Sequence, residues 1–113
     1  MAAIDEGAIR VLMDDMGGDR EVVKELIQAF LEEGPKQLAE GRAAIGMKDI
    51  VTAQRSYHTL KSTAATFGAL ELAALCKAME QGAKGGAMPT ADQAGQAERL
   101  FEAARKELVS RLA

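Results

Sequence analysis

Apolar residues recur at intervals of three and four between positions 50 and 67, and this pattern is the strongest constraint on the fold. The residues are Ile50, Ala53, Tyr57, Leu60, Ala64 and Phe67. An α-helix has about 3.6 residues per turn, so these spacings place all six side chains on one face. The segment is therefore predicted to be a helix whose apolar face packs against other helices.

The composition extends the helical prediction to the whole chain. Nearly half of the 113 residues are hydrophobic, only two are proline, and the residue types that favour helices dominate. A chain of this length forms one core, so residues 1–113 are predicted to be a single domain. The fold class is predicted to be all-α.

Start and stop signals divide the chain into five helices. Side chains that cap helix N-termini stand at Asp5, Asp19, Asp49 and Thr90, and Gln93 completes a capping box with Thr90. Glycine pairs at 17–18 and 85–86 end the first and fourth helices. The predicted helices run from about Asp5 to Asp15, Asp19 to Gly46, Ile50 to Phe67, Ala69 to Gly85, and Thr90 almost to Ala113.

The connections between these helices are short, which makes consecutive helices antiparallel. The predicted architecture is an up-down antiparallel four-helix bundle with a short N-terminal helix across one end. Pro35 lies inside the second helix, so a kink or a brief interruption is expected near Gly34.

Charge and hydropathy exclude several classes of function. The net charge is −3 with both signs interspersed, which disfavours a nucleic-acid-binding surface. No apolar run approaches the ~18 residues of a membrane span, and the N-terminus lacks the features of a signal peptide. The lone Cys76 cannot form an internal disulfide and lies among apolar residues, so we expect it to be buried in a cytoplasmic protein.

His58 is the only histidine, and it lies one residue, about 100°, from Tyr57 of the apolar stripe. The imidazole is therefore expected to face solvent. Its surroundings on that face are predicted to be polar or small: Gln54, Arg55, Lys61, Ser62 and Ala65.

The sequence offers little support for metal or hydrolytic chemistry. One histidine and one distant cysteine do not supply a zinc site. Ser62 shares the helix with His58, but no acidic residue nearby in sequence orients the ring for a catalytic triad.

The remaining chemistry is that of the imidazole as a nucleophile. Imidazole is the side chain that can be neutral and nucleophilic near pH 7, and a neutral ring nitrogen can accept a phosphoryl group. Lys61 and Arg55 would balance the phosphate charge, and Ser62 and Gln54 would donate hydrogen bonds.

The segment His58-x-Leu60-Lys61-Ser62, with Gly68 ten residues after the histidine, resembles the signature of histidine-containing phosphotransfer (HPt) domains of two-component phosphorelays. Weaker similarity extends to residues 17–21, 30–31 and 75–80. The resemblance implies that His58 is reversibly phosphorylated, that Lys61 steadies the phosphoryl group and that Gly68 leaves room near the docking surface.

At two positions, the resemblance does not settle what the residue does. Ser62 stands where the family commonly has glycine, and its hydroxyl is expected to bond back to the His58 carbonyl. Glu80 stands where some members carry a polar residue facing the histidine. A carboxylate there would either orient the neutral ring or repel the attached phosphate.

The resemblance also implies the partners. The chain is expected to be a monomeric phosphocarrier rather than an enzyme. It would exchange phosphoryl groups with a hybrid sensor histidine kinase and a response-regulator receiver domain. It would need no cofactor of its own, because the receiver would supply Mg²⁺.

Ala65, Gly68, Ile9 and Met13 are candidate docking residues. We hypothesise that some of Ile9, Met13, Ile27, Phe30 and Leu31 form an exposed apolar ring beside His58. The alternative is that these residues only pack the first helix onto the bundle. The alternative function for the whole chain is an interaction module without chemistry. Met1 slightly favours a freestanding protein over a domain excised from a hybrid kinase, and the sequence leaves both open.

Overall fold

The computed structural model describes residues 3–112, and this part of the chain contains five α-helices and no strand. The all-α prediction is confirmed. The helices are α1 (Glu6–Asp15), α2 (Arg20–Gly46), α3 (Ile50–Thr66), α4 (Leu70–Lys84) and α5 (Ala91–Ser110).

Side-chain caps set the starts of four helices, as the sequence predicts. The Asp5 carboxylate accepts a hydrogen bond from the Ala8 amide at 3.0 Å, and Asp19 and Asp49 cap α2 and α3 in the same way. The Thr90 hydroxyl and the Gln93 side chain form the predicted reciprocal capping box. These bonds satisfy amide groups that have no partner within the first turn of a helix.

The second helix runs through Pro35 without a break, so the interruption expected near Gly34 does not occur. Proline removes one hydrogen bond of the helix but does not forbid it where packing is strong. Gly34 and Leu38, on either side of the exposed Pro35, are both buried. This packing holds α2 continuous.

Helices α2 to α5 surround one core. Helix α3 packs against α2 and α4, α5 packs against the same two helices, and α1 packs on α2 and α3. Of the predicted stripe on α3, Ile50 is half-buried and the other five residues are buried. Phe30 stacks on Phe67 with ring centroids 4.8 Å apart and meets the edge of Phe101 at 5.4 Å, which joins α2 to the end of α3 and to α5.

Two glycines allow α2 to approach its neighbours closely. A Cβ atom at Gly34 would lie 2.3 Å from Cε2 of Phe101, and one at Gly41 would lie 2.7 Å from Cε2 of Tyr57. Each aromatic ring therefore occupies the space that a side chain on α2 would need.

None of the helices within residues 3–112 is long and apolar enough to span a membrane.

Candidate functional site

His58 lies on α3 with its imidazole in solvent, as its position in the helix predicts. Its side chain is 55% exposed, whereas the adjacent Tyr57 is only 1% exposed. The difference follows from the 100° rotation between consecutive residues of a helix.

The ring is oriented by an acidic residue from the next helix. Oε1 of Glu80, on α4, lies 2.7 Å from Nδ1 of His58. The Glu80 side chain is only 2% exposed, so the carboxylate reaches the ring from inside the bundle. No acidic residue of α3 lies near this histidine; the acid is Glu80, the candidate that the family resemblance suggested, and the packing of α4 on α3 brings it to the ring.

Two lysines share the Glu80 carboxylate with His58. Nζ of Lys61 lies 2.7 Å from Oε2, and Nζ of Lys84 lies 3.2 Å from Oε1. Oε2 makes no hydrogen bond of regular geometry, so its contact with Lys61 is best described as an ion pair. Sequence reasoning missed Lys84, although it lies one helical turn after Glu80, at the spacing that favours ion pairs.

These partners determine the ionisation of Glu80. The ammonium of Lys61 first, and then His58 and Lys84, lower the pKa of Glu80 from 4.5 to about 2, against the opposing effect of burial. The carboxylate is therefore ionised at neutral pH and can only accept hydrogen bonds. In a neutral ring the proton must then be on Nδ1, and Nε2 carries the free lone pair.

A surface cavity of about 320 Å³ adjoins the imidazole. It is lined by Val51, Gln54, Arg55, His58, Glu80 and Lys84. Of the residues expected to contact phosphate, Gln54 and Arg55 thus lie beside the histidine, whereas Lys61 is not part of this lining. The site combines a nucleophilic nitrogen, a buried anion that orients it and nearby cations.

The profile of the Hpt domain family matches residues 25–113 of this sequence. The chain belongs to the Hpt domain family. It is therefore a phosphorelay intermediate, a phosphocarrier rather than a catalyst in the usual sense. Proteins of this family interact with receiver domains and kinases.

A solved structure shows the same fold as this Hpt domain. The crystal structure of histidine-containing phosphotransfer protein B (HptB) from Pseudomonas aeruginosa PAO1 matches with a TM-score of 0.88 and 23% sequence identity. The match covers 97% of this chain and 94% of HptB. No curated protein sequence is detectably similar to the chain.

Ser62 and Ala65 of the Hpt domain lie on the exposed side of α3. The Ser62 hydroxyl donates a hydrogen bond to the His58 carbonyl at 3.3 Å, which confirms the contact expected from the sequence. In this arrangement the hydroxyl is held by the backbone of α3. Its contact with phosphate stays a prediction.

Gly68 is buried rather than displayed on the surface of the Hpt domain. Its φ of 81° is in the left-handed region, and its carbonyl accepts a hydrogen bond from the Asp5 amide at 2.8 Å. A Cβ atom here would lie 2.8 Å from the Asp5 carbonyl oxygen. The structure thus requires glycine to end α3 against the segment before α1. The docking role expected for it stays a prediction.

The proposed apolar ring is mostly core. Ile9, Ile27 and Phe30 are buried, and only Met13 and Leu31 are partly exposed. Ile9 and Met13 line a different cavity, between α1 and α2, which His58 does not line. Burial in the core therefore accounts for three of the five residues, and only Met13 and Leu31 keep exposed surface.

Within residues 3–112, no three His, Cys, Asp or Glu side chains are grouped so that they could hold a metal ion. Cys76 is fully buried, as expected, and burial raises the pKa of its thiol to about 12.

Proposed function

We propose that His58 is the phosphorylated residue of this Hpt domain. It accepts a phosphoryl group from a receiver aspartate and passes it to the aspartate of a response-regulator receiver. One observation carries the proposal: the exposed ring is held at Nδ1 by a buried, ionised Glu80. The opposite nitrogen, Nε2, keeps the lone pair that a nucleophile needs.

The proposed transfer step is balanced in bonds, protons and charge. The Nε2 lone pair attacks phosphorus, the Nε2–P bond forms, and the acyl phosphate P–O bond breaks to release the aspartate carboxylate. The ring becomes positively charged while its proton stays on Nδ1, 2.7 Å from the Glu80 carboxylate. Glu80 stabilises this charge, as the aspartate of a catalytic triad does for its histidine. In the reverse direction the protonated ring is the better leaving group, so one contact serves both transfers.

The chain is proposed to have no ATP site or resident metal. Phosphoryl transfer depends mainly on positioning and on stabilisation of charge. His58 would supply the nucleophile and Glu80, 2.7 Å from its ring, the orienting acid, and Arg55, Gln54 and Ser62 lie on the same side of α3. Mg²⁺ and the remaining groups would come from the receiver.

The finer architecture and assembly belong to the same proposal. Three residues join α2 to α3, and three join α3 to α4, so consecutive helices are expected to run antiparallel in an up-down bundle with α1 across one end. We propose that residues 1–113 form one domain that acts as a cytoplasmic monomer. Its partners would be a hybrid sensor kinase and a response regulator, with no role for nucleic acid.

The test is transfer from a phosphorylated receiver domain in the presence of Mg²⁺. Acid-labile phosphate is expected on the wild type and not on His58→Gln, which should still bind the receiver. Because the imidazole is exposed, the variant should keep the helical circular dichroism of the wild type. Label on His58→Gln, or none on the wild type, would contradict the proposal. Unchanged signalling by His58→Gln would instead identify a pure interaction module.

A further inference from the structure

We propose that Lys84 is the cation that contacts the phosphoryl group on His58, while Lys61 stays with Glu80 as its permanent counter-ion. The inference rests on the phosphorylation of His58 proposed above. It changes the role that the family resemblance implies for Lys61, and it gives a function to Lys84, which the sequence motif does not include.

The two lysines bind different oxygens of Glu80. Lys84 is 3.2 Å from Oε1, which is the same atom that lies 2.7 Å from Nδ1 of His58. Lys61 is 2.7 Å from Oε2 on the other side of the carboxylate. The ammonium of Lys84 is thus held on the histidine side of the shared acid.

The two lysines also differ in how freely they can move. The Lys84 side chain is 56% exposed and makes the longer contact, whereas that of Lys61 is 29% exposed and makes the shorter one. A lysine ammonium on a flexible stem is easily redirected when it is solvated. If Lys84 turns away, Glu80 keeps Lys61, so no buried carboxylate is left without a counter-ion.

The lining of the cavity beside the imidazole also favours Lys84 over Lys61 as the phosphate contact. Lys84 lines it together with His58, and Lys61 does not. Arg55 also lines this cavity, but its guanidinium has no hydrogen bond or ion pair within residues 3–112 that would hold it at the site. Lys84 is the lysine that shares both this cavity and a carboxylate oxygen, Oε1 of Glu80, with His58.

Phosphorylation supplies the reason for Lys84 to move. Formation of the Nε2–P bond places up to two negative charges beside a cation whose existing partner, Glu80, already has a second lysine. Lys84 then exchanges its contact with Glu80 for the phosphoryl oxygens, which attract it more strongly than a shared carboxylate. Lys61 remains the main cause of the low pKa of Glu80.

The experiment uses phosphoramidate as the donor, so that no receiver docking is involved. Its P–N bond breaks, ammonia leaves, and the Nε2–P bond forms. The pH dependence of the ³¹P shift then gives the pKa of the phosphoryl group on wild type, Lys84→Gln, Lys84→Arg and Lys61→Gln. A cation in contact favours the dianion, so Lys84→Gln should raise this pKa by roughly 0.2 to 0.7 units.

The conservative Lys84→Arg should keep the wild-type value, and Lys61→Gln should move it less than Lys84→Gln. Lys106→Gln is the matched control: it removes one positive charge from an exposed site on α5, which does not pack against α3 in the described residues. A phosphoryl pKa that is unchanged in Lys84→Gln, or that responds mainly to Lys61→Gln, would overturn the inference. Phosphate absent from the wild type, or still present in His58→Gln, would overturn the proposed function itself.

Discussion

Nδ1 of His58 and Oε1 of Glu80 lie 2.7 Å apart, although the residues are 22 positions apart and on different helices. The imidazole is more than half exposed, and the carboxylate is almost fully buried. An interior anion therefore orients a surface nucleophile. The imidazole is accessible from solvent, while the acid that contacts its Nδ1 lies almost wholly inside the bundle.

Replacement of Glu80 by glutamine should slow phosphorylation of His58 by roughly tenfold or more. An amide can still contact the ring, but it carries no charge to stabilise the positive ring that forms during transfer. The rate from phosphoramidate or from a phosphorylated receiver measures the effect. Glu102→Gln, which removes an exposed acid paired with Arg105 on α5, is the control and should react at the wild-type rate. Equal rates for both variants would show that Glu80 does not assist the transfer.

The same carboxylate should make stability depend on acid pH. The pKa of Glu80 is lowered from 4.5 to about 2 in the folded protein. Its stabilising contribution is therefore complete above pH 4.5 and is lost as the pH falls toward 2. Solvent reaches its lysine partners, so we expect a contribution of about 1–2 kcal/mol.

Urea unfolding of the wild type and Glu80→Gln at about pH 5 and about pH 3 measures this contribution. The wild type should lose stability relative to the variant between these two conditions. The acids at Asp49, Glu98 and Glu102, whose pKa values are also lowered, are present in both proteins and cancel in the comparison. A constant difference between the two proteins would mean that Glu80 has an ordinary pKa.

Loss of Lys61 should destabilise the fold more than loss of an exposed lysine. Lys61→Gln leaves a buried carboxylate with weaker compensation, and we expect a decrease of about 1–2 kcal/mol in the free energy of unfolding. Lys36→Gln removes a lysine that pairs with Glu33 at 3.4 Å on the exposed side of α2. That change should cost less than about 0.5 kcal/mol. Chemical denaturation at neutral pH measures both, and equal losses would contradict the expected role of Lys61.

Gly34→Ala should destabilise the bundle by about 1–3 kcal/mol, because its Cβ atom would overlap the Phe101 ring. Gly46→Ala is the matched control at the end of the same helix, where an added Cβ atom meets nothing within 4 Å. There alanine should be neutral or stabilise by up to about 1 kcal/mol. Thermal unfolding of both variants tests the close approach of α2 and α5. A stable Gly34→Ala protein would show that Phe101 can move aside.

The helices were predictable because their signals are local. The caps at Asp5, Asp19, Asp49 and Thr90 and the stripe on α3 depend on residues within a few positions of each other, and the structure contains all of them. Of the kink or brief interruption expected near Gly34, the interruption does not occur, because it depends on contacts that are not local. The local penalty of proline is outweighed by burial of α2 against helices that are distant in sequence.

For the site, the sequence by itself determined that His58 stands off the apolar stripe and that its own helix offers Lys61 and Ser62. Only the tertiary structure decided how the ring is held. Packing of α4 on α3 buries Glu80 against Nδ1 and brings Lys61 to the other oxygen of its carboxylate. The segment before α1 covers Gly68, whose carbonyl accepts a hydrogen bond from the Asp5 amide. Helical periodicity gives the face on which a residue lies, but the partner that meets this face depends on how distant segments pack.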